Sequence, residues 1–354
     1  MPRVPASTRP LRMRRAVIDL TSTQPVWSVP DSVVRRIARA FGRGWEVVAV
    51  TEASPSDGDG AGGSAAGVRA AAGAEAYLGW GVAPAVVAAS RSALRWAHTA
   101  AAGAGGSITP AFVATRAVLT NSRGILAEPM ADWAVAAIGF CLRGFHEAVA
   151  AQRARRWAKP AFTDGSVPVR ELAGTRIGIV GLGGIGAAVA RRCARLGMEV
   201  RGVRRRPERR RPAGVRWVGG PNDLSRLARM SDILVITAPH TGATRRVVDG
   251  AVLDALPPGA FVLNLSRGAL LDEDALLARL EAGRIRGCVL DVLSEEPPPA
   301  HHPFWEHPRV LLTPHVSGVS QRFWERESAL ILENVRRYRA GRRLRNVVDL
   351  HAGY

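Results

Sequence analysis

The sequence predicts an α/β protein in which strands and helices alternate to build doubly wound parallel sheets. Three observations carry that expectation. Short apolar runs recur at Ile177–Val180, Glu199–Val203, Ile233–Thr237, Phe261–Asn264, Cys288–Leu290 and Val310–Thr313. Helical stretches or turn clusters separate these runs, which is the rhythm of parallel strands joined by crossovers. A chain of 354 residues, 47% hydrophobic, is also long enough to bury two such cores.

The chain opens on "MPRVPASTRPLRMRR", which is basic and free of acids. Asp19 interrupts "AVIDLTSTQP" just after it, so a frayed basic tail is expected here rather than a secretory signal. "RRAVIDL" (Arg14–Leu20) and "WEVVAV" (Trp45–Val50) read as buried strands flanking a helix. In that helix Val33, Val34, Ile37 and Ala38 share one face. Glu52–Glu75 is rich in Gly, Ala and Ser and reads as a loose loop or weak helix. "AYLGWG", "LRWAHTA" and "AVLTN" continue the β/α alternation. From Glu128 to Trp157 one long apolar helix is expected, ending in a basic segment, and a last helix from roughly Val319 to Arg339. No apolar run reaches the length that spans a bilayer.

The formal charge of +19 and pI near 11.5 raise nucleic acid as a partner. Almost all of that charge is arginine, with Lys159 the only lysine, which reads as a bias spread over the whole surface. The sequence has no Cys/His finger, no RNA-recognition aromatic pattern and no helix-turn-helix, so neither nucleic acid nor membrane is expected as a partner. Cys141, Cys193 and Cys288 lie in apolar stretches without paired spacing, as reduced core thiols of a cytoplasmic protein do. His301, His302 and His307 sit in a proline-rich loop, and no metal is expected.

"RIGIVGLGGIGAAVARRCARLGMEVRGVRRRP" (Arg176–Pro207) carries the first chemical signal. Gly181, Gly183 and Gly186 follow a strand and open a helix whose Val189, Cys193 and Leu196 share a face. That context suits a dinucleotide loop: a tight turn, close backbone approach to a pyrophosphate, and close helix–strand packing. The N–H groups around Gly184, Ile185 and Gly186 would then meet the phosphates at the helix N-terminus. About twenty residues on, an NAD site usually places an acid for the ribose hydroxyls. This chain has Arg204 and Arg205 there instead. An arginine fork binds a 2′-phosphate with charge-assisted bonds, so NADP is the preferred cofactor and NAD the secondary one. The other reading of "RRRPERRRP" is a solvated basic loop in an arginine-rich protein.

Three further segments sit at later strand ends, where open α/β sheets hold ligands. They are "VLNLSRGALLDEDAL", "CVLDVLSEEPPP" and "HPFWEHPRVLLTPHVSG". With the glycine loop they resemble the D-isomer-specific 2-hydroxyacid dehydrogenase family, closest to its glyoxylate and hydroxypyruvate reductase branch. The resemblance covers roughly Arg95–Val348 and is most specific from Leu172 to Gly318.

The resemblance implies two Rossmann-like domains. Residues 128–317 form the dinucleotide-binding domain, inserted into a flavodoxin-like substrate domain of residues 1–127 and 318–354, with the active site in the cleft and a homodimer formed through the Glu128–Trp157 region. It also implies hydride transfer between NAD(P)H and a small 2-oxo acid, with Arg267, Glu296 and His315 as the catalytic residues. The residue types agree with those roles. Arg267 can grip a carboxylate and polarise a carbonyl, His315 can protonate an alkoxide, and Glu296 can orient the imidazole and favour its charged form. By the same resemblance Asp291 faces the nicotinamide carboxamide, and Leu265 and Ser266 lie beside the cofactor. "WAHTAAAG" would offer the N–H groups of Ala102 and Gly103 to the substrate carboxylate, although its wording departs from the family's S-A-G-x-D. A nucleotide-sensing, corepressor-like binding protein on the same fold can keep these three residues and is the alternative. Formate dehydrogenases on this scaffold carry Gln where this chain has Glu296.

Overall fold

The computed structural model describes residues 13–54 and 60–353. The basic tail before Met13, and residues 55–59 of the Gly/Ala/Ser-rich segment, lie outside the described residues. The chain divides into two compact units, Met1–Ile125 with Ser320–Tyr354 and Leu126–Val319. Each is an α/β unit around one all-parallel sheet, as expected from the alternation.

In the first unit the strands are β1 (Arg14–Asp19), β2 (Trp45–Ala49), β3 (Ala76–Gly79), β4 (Trp96–Thr99) and β5 (Val118–Asn121). They lie in the order β2-β1-β3-β4-β5. Winding therefore reverses between β1 and β3, the kind of point where such sheets hold ligands. The Asp31–Phe41 helix buries Val33, Ile37 and Phe41, while Val34 and Ala38 are partly covered. The segment expected to be a loose loop or weak helix contains a six-residue helix, Ala65–Ala70. Asp19, fully buried at the end of β1, ties it down. Its carboxylate accepts from the Ser64 N–H (3.0 Å), the Ser64 hydroxyl (2.9 Å) and the Tyr77 hydroxyl (2.5 Å). Burial, with the Asp19 charge beside it, pushes the Tyr77 hydroxyl far above its usual range. Gly67 has to be glycine here, since a Cβ would lie 2.0 Å from the Asp19 carboxylate.

The last helix starts at Phe323, not Val319. Ser320 accepts the Arg322 N–H through its hydroxyl, a local bond that competes with the helical one. From this helix Glu327 reaches the His98 ring at 2.8 Å, both side chains fully buried, and His98 in turn contacts the Thr120 hydroxyl at 2.9 Å.

In the second unit the strands are β6 (Arg176–Val180), β7 (Glu199–Val203), β8 (Val215–Gly219), β9 (Ile233–Ile236), β10 (Ala260–Asn264), β11 (Ile285–Leu290) and β12 (Val310–Leu312). Their order is β12-β11-β10-β9-β6-β7-β8, so the switch falls between β6 and β9. The edge strand β8 was not legible in the sequence. Arg216 interrupts its apolar run, and an arginine-rich loop precedes it. An edge strand needs no continuous apolar run, because one side faces solvent.

The single long helix expected from Glu128 is two helices, Ala127–Leu142 and Phe145–Arg153, bent by 69°. Gly144 between them has φ 66°, a left-handed conformation that ends the first helix and starts the second at a new angle. The first helix packs its Met130, Ala134, Ile138 and Cys141 into the core shared with Val189 and Cys193 of the Gly184–Arg195 helix. Among the described residues no single helix is long and apolar enough to cross a membrane. Burial pushes the Cys141 and Cys193 thiols up to about 12, and Cys288 is also raised, so none of the three is a reactive thiolate.

Candidate active site

The β6 end and the helix after it form a cradle. Gly181 has φ 102°, and a Cβ there would lie 2.5 Å from the Ala238 backbone at the end of β9. A Cβ on Gly186 would meet the Gly181 carbonyl at 2.2 Å, so helix and turn touch backbone to backbone. Gly183 has nothing within 4 Å of its Cβ position, and it caps the twelve-residue Gly184–Arg195 helix. The N–H groups of Gly184, Ile185 and Gly186 precede the first helical acceptor and therefore open towards that space. Two glycines close the turn and the third keeps its outer face bare, which fits a pyrophosphate.

At the end of β7, Arg204 turns inward over its own loop. Its Nη2 donates to the carbonyls of Pro207 (3.5 Å), Arg210 (3.2 Å) and Arg209. Arg205 and Arg206 are exposed beside it. The fork thus braces the basic loop that follows the strand, a task the sequence did not reveal.

The segment after β10 brings Leu265, Ser266 and Arg267 to the same end of the sheet. Leu265 turns its side chain inward. Its side chain is 1% exposed and belongs to the core, so only its backbone can face a ligand. Ser266 donates its hydroxyl to the Ala238 carbonyl beside the glycine turn, and Asn264 holds the Ser266 N–H (3.1 Å) and the Arg267 carbonyl (3.0 Å). Arg267 is partly exposed and donates to the Ser266 carbonyl at 2.8 Å. Gly268 explains why glycine follows it. A Cβ there would lie 1.9 Å from the Leu293 carbonyl carbon and 2.1 Å from the Ser294 nitrogen. The arginine segment and the acid-bearing loop after β11 are therefore in backbone contact.

Asp291, 1% exposed, directly follows β11 and organises the next element. One carboxylate oxygen accepts the Thr313 hydroxyl (2.5 Å) and the Val316 N–H (2.9 Å), and the other accepts the Ser317 N–H (2.9 Å). Its main occupation is to hold the turn that carries His315. The His315 N–H donates to the Asp291 carbonyl at 2.9 Å, and the residue has φ 55°. A left-handed non-glycine residue at a strand end is held there by its surroundings. The outcome is a side-chain pair: His315 Nδ1 lies 2.7 Å from Glu296 Oε2, half exposed to solvent. The other Glu296 oxygen accepts the Leu293 N–H at 2.9 Å, which fixes the carboxylate's orientation. Two of the three sequence-predicted catalytic residues are thus in direct contact, and the third is joined to them through Gly268.

In the first unit the turn after β4 is held by its carbonyls. Ser122 donates its hydroxyl to the Thr99 carbonyl (3.2 Å) and its N–H to that of Ala101 (3.0 Å), and Asn121 donates to that of Ala102 (2.8 Å). The Ala102 and Gly103 N–H groups are not used in these bonds. Asn121, Ser122, Thr313 and Ser317 went unnoticed in the sequence, because short polar residues at strand ends carry no spacing signal.

Proteins of known family have related sequences and structures. Residues 135–317 match the family model described as D-isomer specific 2-hydroxyacid dehydrogenase, NAD binding domain. A glyoxylate/hydroxypyruvate reductase A from Yersinia enterocolitica is 36% identical over 178 residues, half of this chain and 56% of that protein. The counterpart from Salmonella typhi is 39% identical over 145 residues, 41% of this chain and 46% of that protein. The matches thus span about half the length of these curated relatives. The solved structure of a D-isomer specific 2-hydroxyacid dehydrogenase from Xanthobacter autotrophicus Py2, in complex with NADPH and MES, superposes with a TM-score of 0.75 at 28% identity. That match covers 97% of this chain and all of the other.

The Gly268 contact yields a prediction. Gly268→Ala should destabilise the protein by roughly 1–3 kcal/mol or more, the cost of overpacking against backbone that cannot rotate away. Gly242→Ala, where a Cβ meets nothing within 4 Å, is the control. Equal urea midpoints for the two variants would refute the contact.

Proposed function

The chain belongs to the D-isomer specific 2-hydroxyacid dehydrogenase family, and from that premise we propose that it is an NADP-preferring reductase of a small 2-oxo acid. Glyoxylate and hydroxypyruvate are the substrates favoured by the names of its relatives. The observation that carries the reading is the His315–Glu296 pair, 2.7 Å apart on a left-handed turn.

The reduced nicotinamide, when bound, supplies the hydride. Every remaining task falls to side chains and backbone of this chain. Arg267 grips the substrate carboxylate with its planar fork and polarises the adjacent carbonyl. Glu296 engages Nδ1 of His315, so Nε2 is the nitrogen that delivers the proton to the developing alkoxide. Glu296 also holds the ring in place through that 2.7 Å contact. Gly183 and the N–H groups of Gly184, Ile185 and Gly186 take the pyrophosphate, and Ser266 and Asp291 line the nicotinamide side. Arg204 and Arg205 take the 2′-phosphate, Arg204 with nitrogens other than the Nη2 that braces its loop.

The catalytic assignment predicts different losses for different residues. His315→Ala should lower kcat by roughly 10²–10⁴, the usual worth of a general acid, with NADPH affinity unchanged. Arg267→Ala should raise KM for the oxo acid as well as slow turnover, because it serves binding and polarisation together. Near-normal reduction of glyoxylate by the His315→Ala protein at saturating NADPH overturns the assignment.

For the cofactor, NADPH should be preferred over NADH by about tenfold or more, since charge-assisted bonds contribute roughly 1.5–3 kcal/mol each. Arg204→Asp places an acid where ribose hydroxyls bind and should reverse that preference. Equal kcat/KM for the two cofactors in the unaltered protein refutes the reading.

A second copy of this chain is the proposed partner. Phe145, Val149 and Trp157 are 52%, 37% and 89% exposed along the Phe145–Arg153 helix and the loop after it, which supports an apolar arm that packs on its symmetry mate. Light scattering at micromolar concentration should give twice the chain mass of 37.7 kDa. A monomer there overturns the dimer.

A further inference from the structure

We propose that Glu273 is a positioning residue for the Glu296–His315 pair, acting through Ser294. The inference rests on the catalytic reading above and concerns a residue outside the three that the sequence singles out.

Glu296 sits in a run, Ser294–Pro297, that is exposed and buries no apolar side chain. Such a segment is held by hydrogen bonds or not at all. On its N-terminal side Leu293 is anchored in the core, 8% exposed, and its N–H holds one Glu296 oxygen. The next residue, Ser294, gives both of its donors to a single acceptor. Its N–H (2.7 Å) and its hydroxyl (2.9 Å) both reach Glu273 Oε1.

Glu273 is well placed to impose that geometry. It begins the Glu273–Glu281 helix, whose N-cap Asp272 accepts the Ala275 N–H and fixes the first turn. Its side chain is only 16% exposed, and its second oxygen lies 3.8 Å from His302 Nε2. Two bonds to one carboxylate oxygen are charge-assisted and converge on one peptide. That peptide, Leu293–Ser294, is the backbone lying against Gly268, directly after Arg267. Glu273 thus clamps the acid loop onto the arginine segment. From there the Leu293 N–H sets Glu296, and Glu296 sets the His315 ring. Nothing in this chain of contacts places Glu273 on substrate or cofactor. Its effect should appear in turnover and not in binding.

The test is a double-mutant cycle with NADPH and glyoxylate at saturation. Glu273→Ala should lower kcat roughly tenfold, since small misplacements of reacting groups cost rates of this order. KM for glyoxylate and the dissociation constant of NADPH, read by fluorescence, should stay within about twofold. Glu273→Gln should restore most of kcat, because the amide oxygen still accepts both Ser294 bonds. In a Glu296→Gln background, Glu273→Ala should cost nothing further. Additive losses, an unchanged kcat in Glu273→Ala, or a Glu273→Gln as impaired as the alanine variant would each overturn the positioning role alone. A Glu296→Gln protein with normal kcat would instead overturn the catalytic reading, and this inference with it. If Glu273→Ala does not fold, Glu273→Asp takes its place in the cycle, since its shortened side chain withdraws the acceptor from Ser294.

Discussion

A buried carboxylate at the end of β11 sets the chemistry of the second unit. Asp291 is nearly inaccessible to water, and an unpaired charge there would be costly. The chain meets that cost with a hydroxyl and two backbone N–H groups, all drawn from Thr313–Ser317. Satisfying Asp291 therefore forces the segment after β12 to curl over the end of β11. His315 is caught in that curl with a positive φ, and its ring is turned onto Glu296. The histidine's position thus follows from a solvation requirement one strand away. The resemblance points Asp291 towards the cofactor, whereas its bonds within the chain make it first the support of the histidine turn.

The second constraint is steric. At Gly181, Gly186 and Gly268, backbone meets backbone at distances that no side chain could share. The first two bring the helix N-terminus against the sheet and leave bare N–H groups beside the open face of Gly183. The third stacks the arginine segment on the acid loop. Polar groups placed by such contacts lose little further entropy when a ligand arrives, which is the advantage of a pre-formed site. Bonds to short polar residues complete the framework: Asn264 under Arg267, Ser294 against Glu273, and Asn121 with Ser122 under the turn after β4.

Much of this was legible in the chain because it rests on local physics. Parallel strands covered on both faces are mostly apolar, so β6, β7, β9, β10, β11 and β12 were readable as runs even with Glu199 and Arg201 in β7. The glycine turn was readable because glycine alone tolerates both its φ and its packing. β8 was missed because it lies at the sheet edge, short and directly after the arginine-rich loop, where no flanking apolar pattern marks it. The break at Gly144 was missed because a lone glycine within an apolar pattern reads as a tolerated interruption as easily as a bend.

The sequence by itself determined the α/β class, the glycine cradle, and the identities and order of Arg267, Glu296 and His315. The class and the cradle depend on residue type and neighbours along the chain, where periodicity and conformational preference act, and the three residues were singled out by the resemblance to a family. Only the tertiary structure decided what supports them. It turned Arg204 onto its own loop, sent the Leu265 side chain into the core, put Asp291 beneath the histidine turn and brought Glu273 to Ser294. Each of those outcomes pairs a donor with an acceptor, or an apolar side chain with a core, and apart from Arg204 each partner arrives from another element of the chain. Which carboxylate meets which N–H is settled by packing, and no spacing along the chain encodes it.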